Sequence, residues 1–180
     1  MMKVLIIEDN DYKLDDAVRI LESHGITERV HVNNYMEAYR LCFRQNILDD
    51  IDFIILDIQF FEYRPLVGER QMPDQHAGYK FLMRLAEKEK TTPVFIYSSV
   101  DSFEKGFNEF LFPSFADYQS EFRTSSFIFS RLDSQKEKYD SQIAKNKELL
   151  AKTNFVIGHA HNYYELGTLI KKYLSSNNQS

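Results

Sequence analysis

Residues 3–10 read Lys3-Val4-Leu5-Ile6-Ile7-Glu8-Asp9-Asn10. Four consecutive aliphatic residues that stop at two carboxylates describe a strand covered on both faces, with only its carboxyl end in water. Downstream, Leu14, Ala17, Val18 and Leu21 recur at the spacing of one helix face, and Gly25 stands where a C-terminal cap belongs. The same strand and helix pattern repeats outward from this unit. Arg29 to Val32 is a second strand, and Asn34 with Glu37 three residues on opens a helix that buries Ala38, Leu41 and Cys42. Phe53 to Leu56 is a third buried strand that again ends in a carboxylate, Asp57. Gly78 leads into a helix with Phe81, Leu82, Leu85 and Ala86 on one side, and Val94 to Tyr97 is a fourth strand ending in Ser98-Ser99. This βαβαβαβ alternation calls for an α/β fold, a doubly wound parallel sheet with right-handed crossovers.

The rhythm breaks after Ser99. A fifth strand is expected only at Asn154 to Ile157, followed by the cap-like Asn162 to Glu165 and a last helix through Leu166, Leu169, Ile170 and Leu174. A polar, frayed tail follows from Ser175 to Ser180. The intervening residues, about 100–153, exceed what a crossover needs and read as a largely helical insertion. Phe103, Phe107, Phe110 and Leu111 keep helical spacing up to Pro113, while Leu132, Tyr139, Ile143 and Leu150 mark a longer, highly charged helix. Eight of the fifteen phenylalanines fall between Phe103 and Phe129, so this half of the insertion must pack on the sheet edge or on a partner. The thin stripe of the second half predicts a helix that projects and pairs with a twofold mate or another protein's helix. The alternative is a helix lying along its own domain.

At 180 residues the chain is expected to form a single domain over 1–180. A net charge of −5 without a Lys/Arg cluster argues against a nucleic-acid surface and a DNA-binding output domain. Cys42 is the only cysteine, which excludes an internal disulfide and CxxC zinc sites. No apolar run approaches a membrane span and no signal-peptide pattern is present, so the expected location is cytoplasmic and away from membranes.

In an open doubly wound sheet, ligands bind outside the carboxyl ends of the strands. Glu8, Asp9 and Asp57 end neighbouring strands there, so three carboxylates converge. Unshielded, they raise one another's pKa, and a hard divalent cation with oxygen ligands relieves the repulsion. Magnesium fits best, because it keeps several waters and takes one or two carboxylates with phosphate oxygens.

Four segments in order, Lys3 to Asn10, Phe53 to Asp57, Met72 to Gly78 and Pro93 to Ser99, resemble the signatures of the receiver domain of two-component response regulators. The resemblance covers residues 1 to 99 and again about 154 to 174. It implies a flavodoxin-like sheet of five strands in the order 2-1-3-4-5, with the helical insertion between strands 4 and 5. It also implies that Asp57 is the phospho-acceptor, Asp9 a direct magnesium ligand, Glu8 a ligand through water, and the Gln59 backbone carbonyl a further ligand. Ser98 matches the Ser/Thr whose hydroxyl donates to a phosphoryl oxygen. The implied partner is a histidine kinase or phosphotransfer protein, and the implied role is switching through protein contacts, not enzymatic turnover.

Three positions depart from that pattern. Counting back from Glu165 places His159 where receivers carry a lysine, followed by Ala160 in place of proline; a protonated imidazole supplies that charge only in part. The expected aromatic switch position is Val156. About twelve extra residues, Phe60 to Gln71, put Phe60, Phe61 and Tyr63 near the pocket mouth as a lid, a docking surface or a packed loop. His159 and His161, two apart on an extended segment, suggest a transition-metal site with Asp57 or Asp9. Two other functions stay open: a pseudo-receiver that signals without phosphorylation, and a metal-dependent phosphohydrolase. The phosphohydrolase would want a second acid where Gln59 stands.

Overall fold

A computed structural model describes residues 1–63, 72–114 and 132–177, with side chains from 136 onward in the last stretch. The strands are β1 (Lys3–Ile7), β2 (Glu28–Val32), β3 (Phe53–Leu56), β4 (Val94–Tyr97) and β5 (Val156–Ala160). All neighbours pair parallel, in the order β2-β1-β3-β4-β5. Between them run α1 (Asp11–Ser23), α2 (Tyr35–Tyr39), α3 (Ala77–Glu87), α4 (Phe103–Leu111) and α5 (Leu132–Leu150), and α6 (Tyr163–Asn177) follows β5. This is the expected five-stranded, doubly wound receiver fold, with helical structure inserted before β5.

Strand alternation divides the interior into two cores. Val4, Ile6, Phe53, Ile55, Phe95 and Tyr97 face α1 and α6, where Ala17, Ile20, Leu166 and Ile170 are buried. Leu5, Ile7, Ile54, Leu56, Val94 and Ile96 face the other way, onto α2, α3, α4 and α5. Each central aliphatic side chain so buried contributes about 1.5–3 kcal/mol. Because both faces are covered, polar groups concentrate at the strand ends.

The local signals act as read, with four corrections. Asn34 caps α2 by accepting the Glu37 N–H at 2.9 Å, but beyond Tyr39 the helix widens into a π turn, Arg40–Arg44, and closes in a 3-10 turn, Ile47–Asp50. β5 begins two residues later than expected and ends at Ala160. Val94 pairs with Val156 but Phe95 pairs with Gly158, so Ile157 is bulged out and 41% exposed. The last helix continues through Ser175 and Ser176, whose hydroxyls donate to the Lys171 and Lys172 carbonyl oxygens, each at 2.9 Å; residues 178–180 lie outside the described residues.

The fourth correction concerns the insertion. α5 does not project but lies along α3 and α4: Leu149 is buried, the Lys145 ammonium meets Glu87 at 2.6 Å, and Lys152 meets Glu89 at 3.3 Å. Tyr139 donates to the Pro113 carbonyl at 3.0 Å. Tyr139 and Leu150 of its apolar stripe are therefore packed on its own domain, Ile143 is partly buried, and the Leu132 side chain lies outside the described residues. Phe103 and Phe107 of α4 are buried against the Tyr79 ring, with centroids 5.8 and 5.5 Å away, as the phenylalanine-rich half requires. Phe115, Phe122, Phe127 and Phe129 lie outside the described residues.

Candidate functional site

Parallel register brings the ends of β1 and β3 side by side, Ile7 opposite Leu56, so the next residues must meet. Glu8, Asp9 and Asp57 each offer a carboxylate oxygen within 4.8 Å of the others, and among the described residues no other group of three potential metal ligands is this close. Asp57 is fixed by its own backbone, donating to the Ile7 carbonyl at 3.0 Å, and its Oδ1 accepts the Ile58 N–H at 2.6 Å. Glu8 Oε1 accepts the Asn10 N–H at 2.9 Å, whereas the buried Oε2 has no hydrogen-bond partner. Asp9 Oδ2 accepts the Phe61 N–H at 3.1 Å.

Burial and mutual repulsion dominate the electrostatics. Loss of water, followed by the Asp57 charge, pushes the Glu8 carboxyl up to about 8 against the opposing pull of Lys13. Asp9 is raised for the same two reasons, in the same order. Such a site favours uptake of positive charge, and its donors are hard oxygens suited to magnesium.

One cation is already in place. Lys13 Nζ donates to Asp57 Oδ2 at 2.9 Å and stands 3.8 Å from Glu8 Oε2. Asn10 caps α1 and accepts the Lys13 backbone N–H at 3.3 Å, fixing where the side chain departs. Reading the sequence missed this residue. The available signal was its position three residues after the cap, where the helix dipole disfavours a cation by about 0.3–1 kcal/mol.

Ser98, at the end of β4, is 1% exposed, and its hydroxyl has no partner. His159 lies inside β5 opposite Ile96, and its Nε2 donates to the Ser98 carbonyl oxygen at 3.0 Å. The His161 ring lies beside it, tilted by 54°, with ring centroids 4.1 Å apart. Among the described residues neither histidine joins a three-ligand group, so the geometry does not assemble the transition-metal site with Asp57 or Asp9. Val156 packs partly buried against the α3 side of the sheet.

The start of the Phe60 segment is packed down, and of its lid, docking-surface and packed-loop readings the described residues Phe60 and Phe61 fit the last. Phe60 is fully buried, its carbonyl accepts the Asp74 N–H at 3.0 Å, and the Phe61 carbonyl accepts the Tyr35 N–H at 2.8 Å. Tyr63 is exposed, and 64–71 lie outside the described residues. Gln59, two residues after Asp57, is half-buried.

No protein-family model matches the sequence, and no curated protein does. Solved structures do match. The signal receiver domain of a two-component signal transduction (histidine kinase) protein from Clostridium thermocellum is 18% identical, with a TM-score of 0.51 over 96% of this chain and 97% of that one. The signal receiver domain of an HD domain-containing protein from Pseudomonas fluorescens Pf-5 is 10% identical, with a TM-score of 0.50 over 99% and 98%. At these identities the likeness is one of fold. The chain has the receiver fold, and its acid cluster resembles the receiver metal site. Among the described residues no helix is long and apolar enough to cross a membrane.

Proposed function

We propose that this protein is a receiver that accepts a phosphoryl group on Asp57 with Mg²⁺ and signals through protein contacts. The observation that carries the reading is the meeting of Glu8, Asp9 and Asp57 at two adjacent strand ends, with a buried serine hydroxyl that has no partner at the end of the next strand, β4. Asp9 and Asp57 would hold the metal directly, Glu8 through water, and the Gln59 carbonyl would complete the set. Bound there, the ion supplies charge neutralisation for phosphoryl oxygens.

The protein's own part is positional. One Asp57 oxygen attacks phosphorus, the bond from phosphorus to the donor breaks, and the donor leaves with the electron pair; no proton moves. The Ile58 N–H fixes the carboxylate in place, and the Ser98 hydroxyl gains in the phosphorylated state the acceptor it lacks at rest. That gain supplies a local bias for a two-state switch. A histidine kinase or phosphotransfer protein is the matching donor. Receivers signal and do not turn over a substrate, and the neutral Gln59 gives a phosphohydrolase no second acid.

A pseudo-receiver is the second reading, favoured by His159 being engaged with a backbone carbonyl in place of a lysine aimed at the acids. Intact-mass measurement after acetyl phosphate and MgCl₂ separates the two. The receiver reading expects one added phosphate in the wild type and none in Asp57→Ala. No adduct in the wild type favours the pseudo-receiver, and an adduct that persists in Asp57→Ala removes Asp57 as the acceptor.

A further inference from the structure

The acceptor site needs a permanent positive charge, and the chain provides one from an unexpected element. Resting on the receiver reading, we propose that Lys13 of α1 is the phosphoryl-site cation, neutralising Asp57 before transfer and binding the phosphoryl oxygens after it.

Three independent features place it there. The first is direct contact, 2.9 Å to Asp57 Oδ2, by a side chain only 22% exposed. The second is how the side chain is held. Its nitrogen lies 5.8 Å from the centre of the Tyr97 ring, and the Tyr97 hydroxyl is in turn tied to Asp16 Oδ2 at 3.3 Å, so cation and ring are held from the same helix. The third is what remains unmet: Glu8 Oε2, buried and 3.8 Å from the ammonium, has no hydrogen-bond partner. An ammonium carries three donors, and only one is used on Asp57. As negative charge grows beside Asp57, Lys13 can turn its remaining donors onto it without leaving its place.

His159 is differently engaged. Its Nε2 donates to the Ser98 carbonyl, and its ring centroid is 6.2 Å from that of Phe103 and 4.1 Å from that of His161. Functional equivalence has thus passed from the end of β5 to the first turn of α1. During transfer Lys13 keeps all its protons, and the new bond from Asp57 oxygen to phosphorus replaces the one broken to the donor.

The test follows acetyl phosphate labelling by intact mass in MgCl₂ for Lys13→Gln, Lys13→Arg and Lys105→Gln, the last an exposed charge control on α4. Lys13→Gln should label at least about tenfold more slowly, Lys13→Arg should recover most of the loss, and Lys105→Gln should match the wild type. Titration calorimetry with MgCl₂ alone gives a readout independent of transfer. Ammonium and metal compete for the same carboxylates, so Lys13→Gln should bind magnesium several-fold more tightly. A Lys13→Gln labelling rate within about threefold of wild type, no recovery in Lys13→Arg, or unchanged or weaker magnesium binding overturns the inference. A wild type that takes no phosphate overturns the receiver reading itself and the inference with it.

Discussion

Asn146 in α5 donates from Nδ2 to the Leu111 carbonyl at 2.6 Å, and this buried bond closes the end of α4. Carbonyls in the last turn of a helix have no partner within it, so Asn146 satisfies a group that α4 cannot. Asn146→Ala leaves that carbonyl buried and unpaired. The expected loss is about 1–3 kcal/mol in urea unfolding, with α5 more open to proteolysis. An unchanged midpoint would show that the insertion is not anchored here.

Gly78 has no Cβ for a reason external to its own helix. A Cβ there would stand 2.5 Å from the Asp57 carbonyl oxygen and 2.6 Å from Ile58 Cα, both backbone atoms. Gly78→Ala must therefore push α3 away from the β3 end that carries the acceptor. We expect a loss of about 1–3 kcal/mol in stability together with weaker magnesium binding, read by thermal unfolding and calorimetry.

The α3 to α5 clamp predicts an acid-dependent stability. Lys145 and then Arg84 hold the Glu87 carboxyl below its ordinary range. For an acid depressed in the folded state, the stabilisation is full above the unfolded value, about pH 4.5, and is lost as pH falls through the folded one. The stability difference between wild type and Glu87→Gln should thus be constant near neutrality and shrink below about pH 4.5, as measured by urea unfolding across pH. A difference that persists undiminished in acid would contradict the clamp.

Cys42 is fully buried, and loss of water pushes its thiol up to about 12. Both effects suppress the thiolate that reacts. Native protein should resist an aromatic disulfide reagent at neutral pH and react in step with urea unfolding. Immediate reaction under native conditions would mean that the α2 side of the core opens readily.

What the sequence made legible was whatever follows a simple period. The runs at Val4, Phe53 and Val94 are buried on both faces and stop at polar residues, so the strands and the acid cluster could be read from pattern, whereas the strand order came with the resemblance to receiver domains. β5 was misplaced because its bulge at Ile157 breaks the alternation and because Gly158-His159-Ala160 carries no apolar signal. The π turn after Tyr39 preserves a helical composition and cannot be seen as a period. Asn146 and Lys13 were missed for a shared reason: each is polar on a charged helix and reads as solvated, whereas tertiary contact gives each a specific buried partner.

The central claim is that Asp57 carries the phosphoryl group. Borohydride reduces an aspartyl phosphate to homoserine, which peptide mass mapping locates to a single residue. After acetyl phosphate and MgCl₂, the account predicts homoserine at position 57, lost when EDTA replaces magnesium. Homoserine at another acid, or none anywhere despite a folded protein, would contradict it.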